Sequence, residues 1–128
     1  MKFIKNKYSL TILSIIGFIA IFLFLMPKPI DMNLSKIGNG KKSVVFIYDL
    51  NLVVSNQQTI EINKAREIIG EQVTFLIAQT GNPESETFKK RHNARSPELL
   101  FFSSNGNLID RQIALINSEE LVKKLSNE

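Results

Sequence analysis

Few side chains in this sequence have the type and spacing to do chemistry. Among 128 residues there is one histidine, His92, and no cysteine. A hydroxyl nucleophile needs a base within hydrogen-bond reach, so Ser55 is of interest only if His92 meets it. His92 closes the basic run Lys89-Lys90-Arg91-His92, which reads as the solvated C-terminal end of a helix, where cations suit the helix dipole. The functional alternative for that run is binding of an acidic lipid or wall polymer. Ser55 opens a different helix, so a Ser–His pair is not expected. The acids Asp49, Glu98 and Asp110 are scattered and read as surface or loop carboxylates. No G-x-x-x-x-G-K phosphate loop, no H-x-x-H and no tight carboxylate cluster occurs, so no metal site and no cofactor is expected. Without cysteine, a disulfide, a thiol nucleophile or a Cys-ligated zinc within the chain is excluded.

The apolar content is unevenly placed. Residues 8–26 are 19 consecutive residues without a charge. As a helix rising about 1.5 Å per residue, they come close to spanning the roughly 30 Å hydrocarbon core. The stretch exceeds a signal-peptide core of about 7–15 residues and ends without a small-x-small cleavage pattern, which favours a retained anchor. Lys2, Lys5 and Lys7 precede it and favour a cytoplasmic N-terminus with the following domain on the extracytoplasmic side of the cell membrane. Removing those three from the 16 Lys and Arg leaves 13 against 12 Asp and Glu. A domain so nearly neutral gives no electrostatic case for nucleic acid.

Positioning falls to the elements beyond the anchor. Residues 1–7 read as a basic cytoplasmic N-terminus, 8–26 as a transmembrane anchor, 27–41 as a Pro- and Gly-containing linker with at most a short helical turn, and 42–128 as one domain. Ser43 to Tyr48 is a nearly continuous apolar, β-branched run, the pattern of a buried central strand. A helix is predicted from about Ser55 to Ile69, with Ile60, Ala65, Ile68 and Ile69 inward, stopped by Gly70. Gln72 to Ala78 is a second buried strand. Asn82 caps a helix beginning at Pro83 and running to about Asn93. Glu98 to Phe102 and Leu108 to Leu115 form strands joined by the turn Ser104-Asn105-Gly106-Asn107. Asn117 and Glu120 open a last helix with Leu121, Val122 and Leu125 inward. The order is β-α-β-α-β-β-α. Two β-α-β crossovers imply parallel pairing and the hairpin adds an antiparallel pair, giving an α/β domain with a mixed four-stranded sheet.

This order, over residues 42–126, resembles the thioredoxin fold. The resemblance rests on the strand Val44-Val45-Phe46-Ile47-Tyr48 followed by a loop and long helix, and on Arg95-Ser96-Pro97-Glu98-Leu99-Leu100-Phe101-Phe102. It also rests on the hairpin from Ser103 to Arg111 and on the final helix opened by Asn117-Ser118-Glu119-Glu120-Leu121. The second segment is similar to the place where thioredoxins carry a cis-proline before a strand. That likeness implies a cis Ser96–Pro97 bond presenting backbone groups to an extended peptide. The family's Cys-x-x-Cys would fall in Asp49-Leu50-Asn51-Leu52-Val53-Val54-Ser55, with Leu52 and Ser55 at the cysteine positions; a register one residue earlier gives Asn51 and Val54. The carboxylate that assists proton transfer in many thioredoxins is also missing, its position falling near Phe46.

The resemblance implies a scaffold that keeps a peptide groove at Leu52, Val53, Val54, Ser55, Ser96 and Pro97 and has lost its chemistry. The apolar side chains at Leu50, Leu52, Val53 and Val54 admit two readings: a patch that grips a partner, or a strand-to-helix turn whose side chains complete the core. The second is the expectation. In function, the sequence favours a non-enzymatic, membrane-anchored binding or accessory module with a protein or peptide partner, similar in design to bacterial accessory proteins that serve export, secretion or envelope assembly. A structural subunit acting mainly through its transmembrane helix is the alternative. Thiol–disulfide exchange requires a thiolate. The purified chain should therefore show insulin reduction and disulfide isomerisation at the buffer rate. Catalysis that survives removal of contaminating oxidoreductases would contradict this.

Overall fold

A computed structural model describes residues 7–26 and 29–126; the lysines at 2 and 5 lie outside them. The chain forms helix α1 (Lys7–Leu25), strand β1 (Lys42–Tyr48), helix α2 (Val53–Ile69), β2 (Val73–Gln79), α3 (Pro83–His92), β3 (Glu98–Phe102), β4 (Leu108–Ile113) and α4 (Ser118–Ser126). Helix α1 is long and apolar enough to cross a membrane, and none of its side chains is buried.

The four strands form one sheet in the order β2-β1-β3-β4. Val44 and Phe46 face a core shared with Ile62 and Ala65 of α2 and Leu121 and Leu125 of α4. Val45 and Ile47 face the opposite core, with Leu76 and Ala78 of β2 and Phe88 of α3. A period-2 strand covered on both sides must be apolar on both, which is why this run has no alternation.

Strand β1 pairs parallel with β2, as a β-α-β crossover requires. The second crossover departs from the parallel pairing predicted for it: β3 pairs antiparallel with β1, Phe46 opposite Leu99 and Ser43 opposite Phe102. Gln79 ends β2 level with Tyr48. Strand β3 thus starts near the sheet edge at which β2 ends. The ten residues of α3 return the chain to that same edge instead of carrying it back down the sheet. Its termini match the sequence: the Asn82 side chain accepts from the Glu84 N–H at 3.0 Å, Pro83 is the first helical residue, and Asn93 closes it in the left-handed region. Gly70 closes α2 at φ 68°, and Gly106 takes φ 91° in the hairpin turn.

The segment from Pro29, expected as a tether, docks on the sheet. Asp31 bridges Leu76 in parallel, its carbonyl accepting from the Ile77 N–H at 2.9 Å. A single 3₁₀ turn, Leu34–Lys36, follows, and Leu34 and Ile37 pack on the α3 side of the core. Gly38 lies so close to the hairpin that a Cβ there would stand 3.2 Å from the Asn105 carbonyl oxygen.

Helix α2 is rotated from its predicted setting. Ile60 and Ile68 are exposed, while Ser55, Gln58, Ile62 and Ala65 are buried. Hydropathy alone favoured the isoleucines. The buried face instead uses a polar residue with a defined partner. Gln58 Nε2 donates to the Ile116 carbonyl at 2.8 Å and Gln58 Oε1 accepts from the Ile116 N–H at 2.7 Å. Three residues on, the Glu61 carboxylate accepts from the Ser118 N–H at 3.0 Å, the first residue of α4. Within α4, Asn117 and Glu120 pair as the sequence indicated, the Glu120 N–H donating to Asn117 Oδ1 at 2.9 Å. Gln58→Ala would strand both backbone groups of Ile116 in the core. The expected cost is about 2–4 kcal/mol, from desolvated groups left unpaired. Chemical denaturation of the full chain in detergent should show it, and a loss below roughly 1 kcal/mol would mean that the amide clamp is dispensable.

Candidate functional site

The site predicted from sequence lies at the sheet edge where β1 ends. Beyond Tyr48 the chain makes an Asx turn, with the Asn51 N–H donating to Asp49 Oδ1 at 2.9 Å. The Leu52 N–H donates to the Asp49 carbonyl at 3.1 Å. Ser55 is fully buried, and its hydroxyl accepts from the Asp49 N–H at 3.1 Å. Its polar atom therefore holds the turn together and is not a contact surface. The Tyr48 hydroxyl donates to Asn56 Oδ1 at 2.7 Å, tying the strand end to the first turn of α2.

Two of the four apolar side chains of this turn, Leu50 and Val53, point outward, contrary to the expectation that the turn completes the core. Leu50 is 69% exposed and Val53 73%; Leu52 and Val54 are half-buried. The reason is local. Leu52 is the N-cap of α2, and the buried face of that helix passes through Ser55 and Gln58. Val53 falls on the opposite face.

The Ser96–Pro97 bond is cis, as the family likeness implied. The Ser96 hydroxyl donates to the Ile47 carbonyl at 3.0 Å, fastening the proline loop to β1. On its other side the Ala114 N–H donates to the Pro97 carbonyl at 2.8 Å. Among the described residues, the Ser96 N–H and carbonyl have no partner. Ser96 and Pro97 are half-buried.

The sequence reading missed the third wall of this edge. Ile113 is 71% exposed and Leu115 52%. They flank Ala114, and so stand beside Pro97. The available signal was the Ile-Ala-Leu run after a hairpin, on the strand that the topology puts at the sheet edge. Leu50, Val53, Ile113 and Leu115 thus come from two separate segments to one end of the sheet, with the Ser96 backbone between those segments.

Two of the acids read as surface or loop carboxylates are ion-paired. Glu98 receives Arg111 in a two-pronged contact, Nε to Oε2 at 2.7 Å and Nη2 to Oε1 at 3.0 Å. Arg111 also donates to the His92 and Asn93 carbonyls at 2.9 and 3.0 Å, pinning β4 to the end of α3. Asp110 is paired with Lys124. The Arg111 hydrogen bonds hold the Glu98 carboxyl below its ordinary range. His92 packs on Phe88 and Phe102, with ring centroids 4.5 and 5.4 Å away. Burial, then the Arg91 and Arg111 charges, lowers its basicity. It lies on the α3 side of the sheet, whereas Ser55 belongs to α2 on the other, so the two do not meet. Among the described residues no group of three His, Asp or Glu side chains is placed to hold a metal.

The architecture is thioredoxin-like. A thioredoxin-like protein from Clostridium perfringens superposes with a TM-score of 0.69 at 12% identity, covering 77% of this chain and 79% of that one. Chloroplastic thioredoxin z gives 0.64 at 7% identity, covering 80% and 96%. Thioredoxin-2 of the malaria parasite, a component of that organism's protein secretion machinery, gives 0.63 at 13% identity, covering 69% and 84%. No protein-family model matches the sequence, and no curated protein matches it. At these identities the likeness is one of fold, and the chain carries that fold without a single cysteine.

Both titrations described above act in the same direction. Glu98, with its carboxyl pKa lowered, contributes stability that is complete above the ordinary value of 4.5 and is lost as pH falls through the depressed one. His92, also lowered, adds nothing above its ordinary 6.5 and opposes the folded state as pH falls below it, where the unfolded chain takes the proton first. Glu98→Gln should reduce stability at pH 7 by on the order of 1–2 kcal/mol, the worth of a charge-assisted pair at a mostly shielded site. The deficit relative to the parent should shrink as pH falls below 4.5 in thermal melts. A deficit independent of pH would show that the charge of Glu98 is not what matters.

Proposed function

We propose that this chain is a redox-inactive, membrane-anchored, thioredoxin-like binding module that holds an extended peptide or protein segment on the extracytoplasmic face. The observation that carries the reading is the exposure of Leu50, Val53, Ile113 and Leu115 at the end of the sheet that carries the cis Ser96–Pro97 bond. Four large apolar side chains at one end of a small domain represent surface that gains by being covered. The unpartnered Ser96 N–H and carbonyl supply the polar half of such a contact, since an extended segment can pair with them in the manner of strand addition. Cysteines at the Leu52 and Ser55 positions would allow chemistry on the bound segment; leucine and serine allow only binding. The lysines before residue 8 support an N-in orientation with the domain outside. A role in export, secretion or envelope assembly is the process that suits this placement, and the parasite thioredoxin-2 is an instance of the scaffold within secretion machinery.

A library of extended apolar peptides, read against the full chain in detergent, tests the reading. Val53→Asp and Ile113→Asp should each weaken binding about tenfold or more, the worth of one buried aliphatic side chain. Their melting temperatures should stay within about 2 °C of the parent, as for surface changes generally. Ile60→Asp, exposed on the middle of α2, should leave binding unchanged. Equal binding by all three variants would remove this edge from the site.

A further inference from the structure

The route by which the chain leaves its anchor fixes which end of the domain faces the lipid. Helix α1 ends at Leu25 and Met26 is its last described neighbour. Pro29 is three Cα steps beyond Met26, so at about 3.8 Å per step the two lie at most roughly 11 Å apart. From there the chain runs parallel to β2 and bridges Leu76 at Asp31. Pro29 therefore lies toward the N-terminal end of β2. It shares a cleft with Val73, Gly70 at the end of α2, and the side chains of Lys36, Lys41 and Arg66. Two acids line the same cleft, Asp31 and Glu71, and Asp31 is paired with Lys36. Gln72, the residue before β2, is exposed at the same end.

We infer that this end of the sheet is a seat for the anionic bilayer into which α1 inserts, with Lys41 and Arg66 at the headgroups and Gln72 beside them. The inference rests on the anchor reading of α1. The charge excess of the cleft is small, but the short connection keeps the domain at the surface, and tethering makes weak affinity sufficient. The seat has a consequence for the proposed groove. Strand β1 climbs seven residues from Lys42 beside the seat to Tyr48. At about 3.3 Å per residue this holds Leu50 and Pro97 roughly 20 Å farther from the lipid. The groove then opens away from the membrane, toward a partner that need not touch the bilayer.

The absence of cysteine makes a site-specific test direct. Spin labels are placed by Gln72→Cys or Leu50→Cys in the full chain, which is then incorporated into nanodiscs of phosphatidylcholine alone or mixed with phosphatidylglycerol. Relaxation by nickel chelated to lipid headgroups is measured. The expected result is strong relaxation at residue 72 and weak relaxation at 50. The residue 72 signal should rise severalfold with phosphatidylglycerol, and Lys41→Gln with Arg66→Gln should abolish that rise while the melting temperature holds. Equal relaxation at the two sites, or no dependence on lipid charge, in a chain that co-migrates with the discs overturns the seat and leaves the anchor intact. A chain that does not co-migrate with discs overturns the anchor itself, and the seat with it.

Discussion

The structure depends on one constraint: β1 is covered on both faces and must pack on both. Val44 and Phe46 look toward α2 and α4, Val45 and Ile47 toward α3 and the docked segment around Leu34. Every other element takes its position from that strand. Strand β2 flanks it in parallel, β3 flanks it antiparallel, and β4 is left at the edge. The edge of the sheet at which β1 ends is in turn where the β1–α2 turn, the Ser96–Pro97 loop and the residues after β4 converge. The proposed binding edge is thus a by-product of the strand order, assembled from three segments spread over residues 50–115.

Polar side chains hold that arrangement in register. Gln58 and Glu61 use one face of α2 to fix the chain entering α4. Arg111 draws together β3, β4 and the last carbonyls of α3. Ser96 and Ser55 each commit a hydroxyl to a backbone group at this end of the sheet. Buried polar groups cost stability unless satisfied, and once satisfied they specify one geometry. Ser55 stands at one of the two positions that the resemblance assigned to the family's cysteines. Here the hydroxyl is consumed as a structural ligand of the Asp49 N–H, and the edge is left with shape and apolar surface.

Much of the fold was legible from local signals. Asn82-Pro83, Gly70, Asn105-Gly106 and the Asn117–Glu120 pair each mark a boundary through backbone chemistry that acts over three or four residues, and each stands where the signal placed it. The misreadings came from quantities that no local window contains. Ile60 and Ile68 were assigned inward on hydropathy, but the setting of α2 is decided by Gln58 finding Ile116, 58 residues away. The direction of β3 depends on where a short α3 returns the chain. The docking of residues 29–41 depends on an unpaired edge of β2 that the sequence does not advertise.

By itself the sequence determined the apolar N-terminal helix, the element order, the likeness to thioredoxins and the absence of thiol chemistry, because composition and short-range backbone preferences suffice for each. Only the tertiary structure decided which apolar side chains remain uncovered. Leu50 and Val53 carry the same hydropathy whether they fill a core or face water. The exposure of Val53 follows from the setting of α2 on Ser55 and Gln58, and the companion surface at Ile113 and Leu115 arrives from the far end of the chain. Exposure is a relation between distant segments, fixed when the sheet closes around β1.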